Sequence, residues 1–327
     1  MHVVIVNMAP IPVYAYGGTE RMIWDLGKSL VEGGHRVTFI VPKGSSCSFA
    51  EVVELRADTP LASQIPSTAD VVHFNFLPEK IELPVPYVVT EHGNSPIGKV
   101  LDVNTIFVSR NHAQRHGSES FVHNGLDWAA YGPVNWQRPR EFFHFLGKAA
   151  WRVKNVAGAI DLAHQVRQPL HVLGGDRFNF KRGIRLTFSA RIRFHGMVGG
   201  AVKTQLLNGS QGLVFPVRWH EPFGLAVIES MYFGAPVFST PYGALPELVP
   251  DWAGCLSNQA DQLAQAMQQA KRFDGERIHQ HVVHNFNAQT MAQGYLEKYQ
   301  KVMSGSPLNA HPPCATQVFD HLDWVSR

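Results

Sequence analysis

The stretch WHEPFGLAVIESMYFGAPVFSTPYGALPEL, residues 219–248, decides the fold of this chain. Two glutamates, Glu221 and Glu229, stand near its start with seven residues between them. A proline follows the first glutamate, and proline suits the first turn of a helix, where its missing N–H is no loss. Farther on, Gly234 and Pro236 are suited to end the helix. The pattern predicts a helix over residues 222–233 and a short buried strand over residues 236–239.

Glu229 is the only charged residue within the predicted helix. A carboxylate on a nearly all-apolar helix is costly unless another group pairs with it. The N-terminus of the helix also offers the unpaired N–H groups of Phe223, Gly224 and Leu225, which form a ready anion site. An ordinary core helix with Glu229 in a structural ion pair explains the same residues about equally well, because such pairs also place charges in cores.

The string as a whole resembles the E-x7-E segment of retaining glycosyltransferases of family 4. The resemblance rests on the EPFGL opening, the second glutamate, the small-Pro-Val strand and the Gly-x-x-Pro-Glu sequence at residues 243–247. Supporting motifs extend it over about residues 1–303. It implies an α/β protein with the GT-B fold, in which two doubly wound Rossmann-like domains face a central cleft.

Composition agrees with a globular protein of two domains. The chain has 327 residues, of which 45% are hydrophobic and 17% charged, and this length suits two domains. The net charge of +3 gives no reason to expect a nucleic acid as a partner, although peripheral contact with an anionic membrane surface is compatible with it. Three widely spaced cysteines form no C-x-x-C pair, which indicates a reducing cytoplasm. No apolar run approaches the length of a transmembrane segment.

The first half of the chain reads as a doubly wound domain over residues 1–138. A buried strand over 2–6, a helix over 19–32 and a strand over 37–41 form its first strand–helix–strand unit. Later buried runs predict three more strands, at residues 70–74, 85–90 and 105–108. The resemblance implies that this domain binds the acceptor.

Two short features of this first half are candidate binding elements. Gly17 and Gly18, in the sequence YGGTER, precede a helix, where paired glycines let the backbone approach a phosphate or a sugar. A plain loop turn explains them equally well, and the resemblance implies that they lie across the cleft from the donor phosphates.

His92 follows a predicted strand, and ligand groups gather at the carboxyl ends of such strands. A lone histidine is more often structural, but Thr90-Glu91-His92-Gly93 resembles an acceptor-side feature of the family, so His92 is a candidate for binding or proton handling.

The second half reads as another doubly wound domain. A linker over residues 131–140 precedes it, and residues 139–303 form a nucleotide-sugar-binding domain that begins with a strand over 142–146. The resemblance implies that its last helix, about residues 290–303, crosses back to the first domain. The composition of the final segment, residues 304–327, predicts a flexible tail.

Lys148 and Lys154 flank the first strand-to-helix loop of the second domain. Fixed cations aimed at a leaving diphosphate would lower the barrier to breaking the sugar bond without a metal. From spacing alone, two solvated lysines are the simpler interpretation. The family has an arginine where Lys148 stands, and lysine lacks the bidentate fork of arginine.

The resemblance therefore implies a retaining glycosyltransferase of the hexosyltransferase type. It would move a sugar from a nucleotide-sugar donor, expected to be a UDP-sugar, to a hydroxyl of a glycan, lipid or small molecule. The resemblance implies that Glu221 contacts the donor sugar together with the backbone of residues 223–225, and that Glu229 holds the ribose. Catalysis would involve Glu221, His92 and Lys154. No Asp-x-Asp element is present, so neither a metal nor another cofactor is expected. A non-hydrolysing nucleotide-sugar epimerase and a non-catalytic GT-B nucleotide-sugar-binding protein are the alternatives.

Overall fold

The computed structural model describes residues 1–12, 17–79, 82–180 and 185–325. Within them the chain forms two compact units. The first comprises Met1–Asp127 and Asn285–Val318, and the second comprises Trp128–His284 and the chain from Phe319 onward. The division between the units falls before the predicted linker at residues 131–140, because Trp128 and Tyr131 pack against Tyr232 of the second unit.

The first unit is built on a six-stranded parallel sheet with the order β3-β2-β1-β4-β5-β6. Its strands are almost continuous apolar runs, as expected for a parallel sheet covered on both faces. The strands are β1 (His2–Val6), β2 (Arg36–Val41), β3 (Glu51–Glu54), β4 (Val71–Phe74), β5 (Tyr87–Glu91) and β6 (Thr105–Phe107). The helices are α1 (Gly18–Glu32), α2 (Leu61–Gln64), α3 (Arg110–Gln114) and α10 (Ala288–Met303).

A buried polar network fixes α10 within the first unit. His73, which is fully buried on β4, makes hydrogen bonds with the Tyr299 hydroxyl at 2.8 Å and with Thr90 Oγ1 at 2.7 Å. The Thr90 hydroxyl in turn donates to the Tyr295 hydroxyl at 3.2 Å. Because every member of this network has a partner, the buried polar groups specify how the helix docks on the sheet. No sequence pattern predicted this role for His73.

The second unit repeats the architecture with a parallel sheet of order β11-β8-β7-β12-β13-β14. The strands are β7 (Phe142–Leu146), β8 (Leu170–Leu173), β11 (Ile192–Phe194), β12 (Ser210–Phe215), β13 (Val237–Ser239) and β14 (Gly254–Leu256), with an antiparallel pair β9 (Phe178–Asn179) and β10 (Arg185–Leu186) outside the sheet. The helices are α4 (Val156–Gln165), α5 (Gly200–Asn208), α6 (Leu225–Tyr232), α7 (Leu245–Leu248), α8 (Ala260–Gln268) and α9 (Gly275–Asn285). None of the helices described is long and apolar enough to span a bilayer.

The segment predicted to be a flexible tail, residues 304–327, is instead packed along its described length. Leu308 and Ala315 are buried in the first unit. Leu322 and Val325 make backbone hydrogen bonds in the second unit, where the Leu322 N–H donates to Arg218 O and the Val325 N–H to Asn258 O. The prediction of a flexible tail failed because composition does not reveal that backbone groups pair with distant parts of the chain.

Buried neutral histidines make the stability of both units depend on pH. Burial lowers the pKa of His73 and of His144, one in each unit, to about 3 from 6.5. Between these values the unfolded chain binds protons that the folded chain excludes, so each histidine removes up to about 1.4 kcal/mol of stability per pH unit of acidification. Asp25, Glu91 and Asp161 act in the opposite sense, because burial raises the pKa of each carboxyl group, that of Asp25 to about 7, but histidines with a lowered pKa, such as His92 and His171, are more numerous.

We therefore expect the thermal unfolding midpoint of the full chain to fall steadily as the pH is lowered from 6.5 to 4. The measurement is a melting curve followed by circular dichroism at constant ionic strength. A midpoint at pH 5 equal to or above that at pH 7 would show that the two histidines do not dominate the titration.

Candidate active site

The helix that carries Glu229 begins later than its sequence predicted. The helix α6 starts at Leu225, and Gly224 at its N-cap has φ 109°, in the left-handed region. This conformation favours glycine and interrupts the helical path from Pro222. The predicted start at residue 222 is therefore wrong. The loop before Gly224 brings Glu221 alongside it, because a Cβ added to Gly224 would lie 3.4 Å from Glu221 Cγ.

Glu221 and Lys154 form a buried ion pair. Lys154 Nζ donates to Glu221 Oε2 at 2.6 Å, and both side chains are about nine-tenths buried. The indole N–H of Trp219 donates to the same oxygen at 2.8 Å. The ammonium group also lies over the rings of Trp219 and Phe215, 4.6 and 5.0 Å from their centroids. A carboxylate and an ammonium group are thus held together at the carboxyl end of β12, where ligands bind in open α/β sheets.

Backbone packing fixes the position of Glu221. The N–H of Ala244 donates to Glu221 O at 2.9 Å. Gly243, the glycine of the Gly-x-x-Pro-Glu sequence, has φ 70°, and a Cβ at this position would lie 2.2 Å from Glu221 O. Only glycine allows the two segments to approach so closely. The two parts of the sequence that first suggested the family are therefore in direct contact.

Lys154 is held equally firmly on its own side. Asn155, which follows it, caps α4 by accepting a hydrogen bond from the Gly158 N–H at 3.1 Å. The amide of the same side chain donates to Pro216 O at 2.9 Å and so ties the start of α4 to the end of β12. Both members of the ion pair therefore sit on rigid backbone, which suits a site that must present fixed charges.

Glu229 has partners that the sequence analysis missed. Lys203 on α5 donates to Glu229 Oε1 at 2.6 Å, and both side chains are buried. The hydroxyl of Tyr131 donates to the same oxygen. Glu229 therefore takes part in the structural ion pair that was one of its two interpretations. A ribose contact would be made by a carboxylate that is already paired. The signal in the sequence was the position of Lys203 four residues before the apolar Leu207, a spacing that places both residues on one face of a helix.

Lys148 stands apart from the buried pair. The side chain is half-buried, and its ammonium group lies over the Trp151 ring, 5.1 Å from the centroid. Arg152, the other cation of this loop, is exposed. Lys154 is therefore the cation that the structure brings to Glu221.

His92 lies in the first unit, immediately after β5. Its Nε2 is 2.9 Å from Asn75 Oδ1, and the Asn75 amide nitrogen donates to Val6 O at 3.3 Å. That bond orients the asparagine so that its oxygen accepts from Nε2–H, which leaves Nδ1 as the acceptor of the ring. Burial lowers the pKa of His92 to about 4, so the ring is neutral at pH 7. It is suited to accepting a hydrogen bond from a hydroxyl group.

Gly17 and Gly18 stand at the start of α1 in the first unit. The helix begins at Gly18, and Gly17 O accepts a hydrogen bond from the Arg21 N–H at 3.1 Å. Tyr16, the first residue of the YGGTER sequence, lies outside the described residues. The part of the chain described by the structure contains no group of three or more histidine, cysteine, aspartate or glutamate side chains that could hold a metal ion.

Comparison with known proteins shows what this chain is similar to. Residues 140–271 match the family model described as Glycosyl transferases group 1. No curated protein sequence matches the chain. Among solved structures, AviGT4, a glycosyltransferase involved in avilamycin A biosynthesis, is similar with a TM-score of 0.75 and 20% identity, over 93% of this chain and 98% of that chain.

Two further structures carry nucleotides. HepE from Anabaena in complex with UDP-glucose is similar with a TM-score of 0.63 and 17% identity, over 93% of this chain and 100% of that chain. The catalytic domain of starch synthase IV from Arabidopsis thaliana, bound to ADP and acarbose, gives a TM-score of 0.69 and 13% identity, over 93% and 99% of the two chains.

These matches confirm the predicted resemblance to group 1 glycosyltransferases, the GT-B fold and the assignment to a glycosyltransferase enzyme class. The stereochemistry of transfer, the donor, the acceptor and the roles of individual residues stay predictions.

Proposed function

We propose that this chain is a retaining glycosyltransferase that transfers a sugar from a UDP-sugar to an acceptor hydroxyl of a glycan, lipid or small molecule in the cytoplasm. The buried pair of Lys154 and Glu221 is the observation that carries the proposal. A nucleoside diphosphate gains negative charge as the bond to the sugar breaks, and a fixed ammonium group stabilises that charge. The carboxylate beside it accepts hydrogen bonds from sugar hydroxyls, which positions the sugar.

Neighbouring groups complete the proposed donor site. The backbone of Phe223, Gly224 and Leu225 lines the start of α6, whose N–H groups and dipole favour electronegative ligand atoms. Lys148 supplies a second cation for the diphosphate, and Glu229 binds the ribose. Since these fixed cations supply the positive charge, we propose that no metal or other cofactor takes part.

Groups of the first unit are assigned to the acceptor and to the donor phosphates. The neutral ring of His92 accepts a hydrogen bond from the acceptor hydroxyl through Nδ1. Gly17 and Gly18 present backbone to the donor phosphates. The leaving group departs and the acceptor attacks on one face of the sugar, so the anomeric configuration is retained.

The nucleotide is tested by thermal shift of the full chain with UDP, GDP and ADP and with their common sugar conjugates. A ligand that binds only the folded state raises stability by mass action, by about 2.7 kcal/mol at one hundred times its Kd. We expect UDP, the nucleotide seen in HepE, to give the largest shift and EDTA to leave that shift unchanged.

The other outcomes are equally informative. A larger shift with ADP, the nucleotide seen in starch synthase IV, or with GDP would overturn the choice of uridine. A shift that EDTA abolishes would overturn metal-independent binding. No shift with any nucleotide at millimolar concentration would overturn the proposed function itself.

A further inference from the structure

The last described residues of the chain, 319–325, run alongside the loop that carries Glu221. We call this segment the C-terminal strap. The His220 N–H donates to Phe319 O at 2.7 Å, and the Leu322 N–H donates to Arg218 O at 3.0 Å. Between these bonds, Trp219 and Asp320 form an antiparallel bridge. The strap therefore pairs with the loop as a short β-ribbon.

Side chains reinforce this pairing from the side of the loop. Arg218 Nε donates to Leu322 O at 3.0 Å, so Arg218 and Leu322 are joined by two hydrogen bonds. The Tyr242 hydroxyl donates to Asp323 O at 2.7 Å. Beyond it, the Val325 N–H donates to Asn258 O at 2.9 Å and Val325 O accepts from the Ala260 N–H at 3.0 Å. The strap is thus anchored at both of its ends.

The backbone bonds of the loop show how much it depends on the strap. Toward α4, the Arg218 N–H donates to Val153 O at 2.7 Å. Toward α7, Glu221 O accepts from the Ala244 N–H at 2.9 Å. Between these two points, the bonds at Arg218 O and at the His220 N–H go to the strap. The strap therefore holds the middle of the loop, next to Trp219, whose indole bonds to Glu221.

We propose that the C-terminal strap is a positioning element of the donor site, which holds Trp219 and Glu221 in register with Lys154. The inference rests on the proposed donor function. Misplacing a catalytic group by about 1 Å costs as much as a hundredfold in rate, and without the strap the loop would lose two of the four backbone hydrogen bonds named above. The hydrogen bonds of the strap described above go to Arg218, His220, Tyr242, Asn258 and Ala260 rather than to Lys154 or Glu221, so the strap acts through the loop.

The first test removes the strap from the full chain by ending it after Val318. Amide hydrogen exchange then reports on the loop without any ligand, because it measures local opening. We expect exchange at the His220 amide to become at least about tenfold faster, since a net hydrogen bond is worth about 1 kcal/mol and the two lost bonds act together. The Val237 amide, which donates to Ala253 O within the same unit, should keep its protection and serves as the control for unfolding.

The second test separates positioning from binding. Turnover of UDP-glucose, UDP-galactose and UDP-N-acetylglucosamine is followed by release of UDP, together with calorimetric titration of free UDP. We expect the shortened chain to lose about tenfold in kcat and to bind UDP within about threefold of the full chain. In the full chain, Leu322→Pro removes the N–H that bonds to Arg218 and should reproduce the loss, whereas Leu322→Ala keeps that N–H and should not.

Rescue in trans provides a readout that general destabilisation would not give. A peptide comprising residues 319–327, added at millimolar concentration to the shortened chain, should restore turnover and slow exchange at the His220 amide, because an extended peptide can add to an exposed strand edge. The same peptide with Leu322→Pro should restore neither.

Opposite results overturn the proposal in distinct ways. Unchanged exchange and unchanged kcat in the shortened chain would show that the loop holds itself. Faster turnover after removal would mark the strap as an inhibitory cover. If the full chain binds no UDP and consumes none of the three sugars, the proposed donor function fails, while the exchange measurement still decides whether the strap holds the loop.

Discussion

Replacing Glu221 by Gln is expected to reduce turnover of the UDP-sugar by about a hundredfold, while the affinity for free UDP changes by less than about threefold. The amide keeps the shape of the side chain and an oxygen that can accept from the Trp219 indole. It removes the negative charge that faces Lys154 at 2.6 Å and weakens the bonds to sugar hydroxyls. Because free UDP lacks the transferred sugar, its binding should be nearly unaffected.

Two further variants serve as a control and as a graded comparison for this experiment. Glu276→Gln makes the same chemical change at an exposed position on α9. It should leave both the turnover of the UDP-sugar and the affinity for free UDP unchanged. Trp219→Phe deletes the indole N–H that bonds to Glu221 but keeps an aromatic ring for Lys154, so its loss of turnover should be smaller. A wild-type rate in Glu221→Gln would exclude Glu221 from the reaction, and loss of UDP binding would place it at the nucleotide instead.

The sequence predicted the strands that are buried along their whole length better than those that are partly exposed. The strand β7 has its predicted bounds, because Phe142–Leu146 is a largely apolar run that ends at a glycine. The strands β3 and β14 were missed, since both are short and half-exposed and their hydrophobic pattern is weak. The start of α6 was misjudged because proline at residue 222 fits a first helical turn locally, whereas the chain first turns at Gly224.

Residues of the candidate site were named in advance where the family resemblance covered them and were missed where it did not. The resemblance named both Glu221 and Lys154, and the structure joins them although they are 67 residues apart. Tyr131 is 98 residues from Glu229 and lay in the predicted linker, so no local pattern connected the two. The strap was missed for a similar reason. Its contacts are backbone hydrogen bonds, which leave little trace in the identity of the residues.

Replacing Glu229 by Ala is expected to destabilise the second unit by about 3–5 kcal/mol and to weaken UDP binding at least tenfold. The loss of stability follows from Lys203, whose ammonium group is buried and would have no carboxylate partner. Lost affinity alone would therefore be ambiguous, because a partly unfolded unit also binds nucleotide poorly. The experiment must separate the ion pair from the ribose contact.

The double variant Glu229→Ala, Lys203→Met makes that separation. Methionine has no charge to leave unpaired, and removing both partners of a buried pair is far less costly than removing one. We expect the double variant to recover most of the lost stability in thermal unfolding. If Glu229 also binds the ribose, its affinity for UDP should stay low despite the recovered fold.

A comparison of UDP with 2′-deoxy-UDP assigns the contact to the sugar ring. A carboxylate that accepts hydrogen bonds from ribose hydroxyls makes the full chain prefer UDP over 2′-deoxy-UDP. The double variant lacks that carboxylate, so loss of the 2′-hydroxyl from the nucleotide should cost it nothing further, and it should bind the two nucleotides about equally. If the double variant keeps both the affinity for UDP and the preference of the full chain, Glu229 is a structural residue only. The nucleotide would then be held by other groups, and the second glutamate of the E-x7-E segment would serve in this chain to pair with Lys203 and Tyr131.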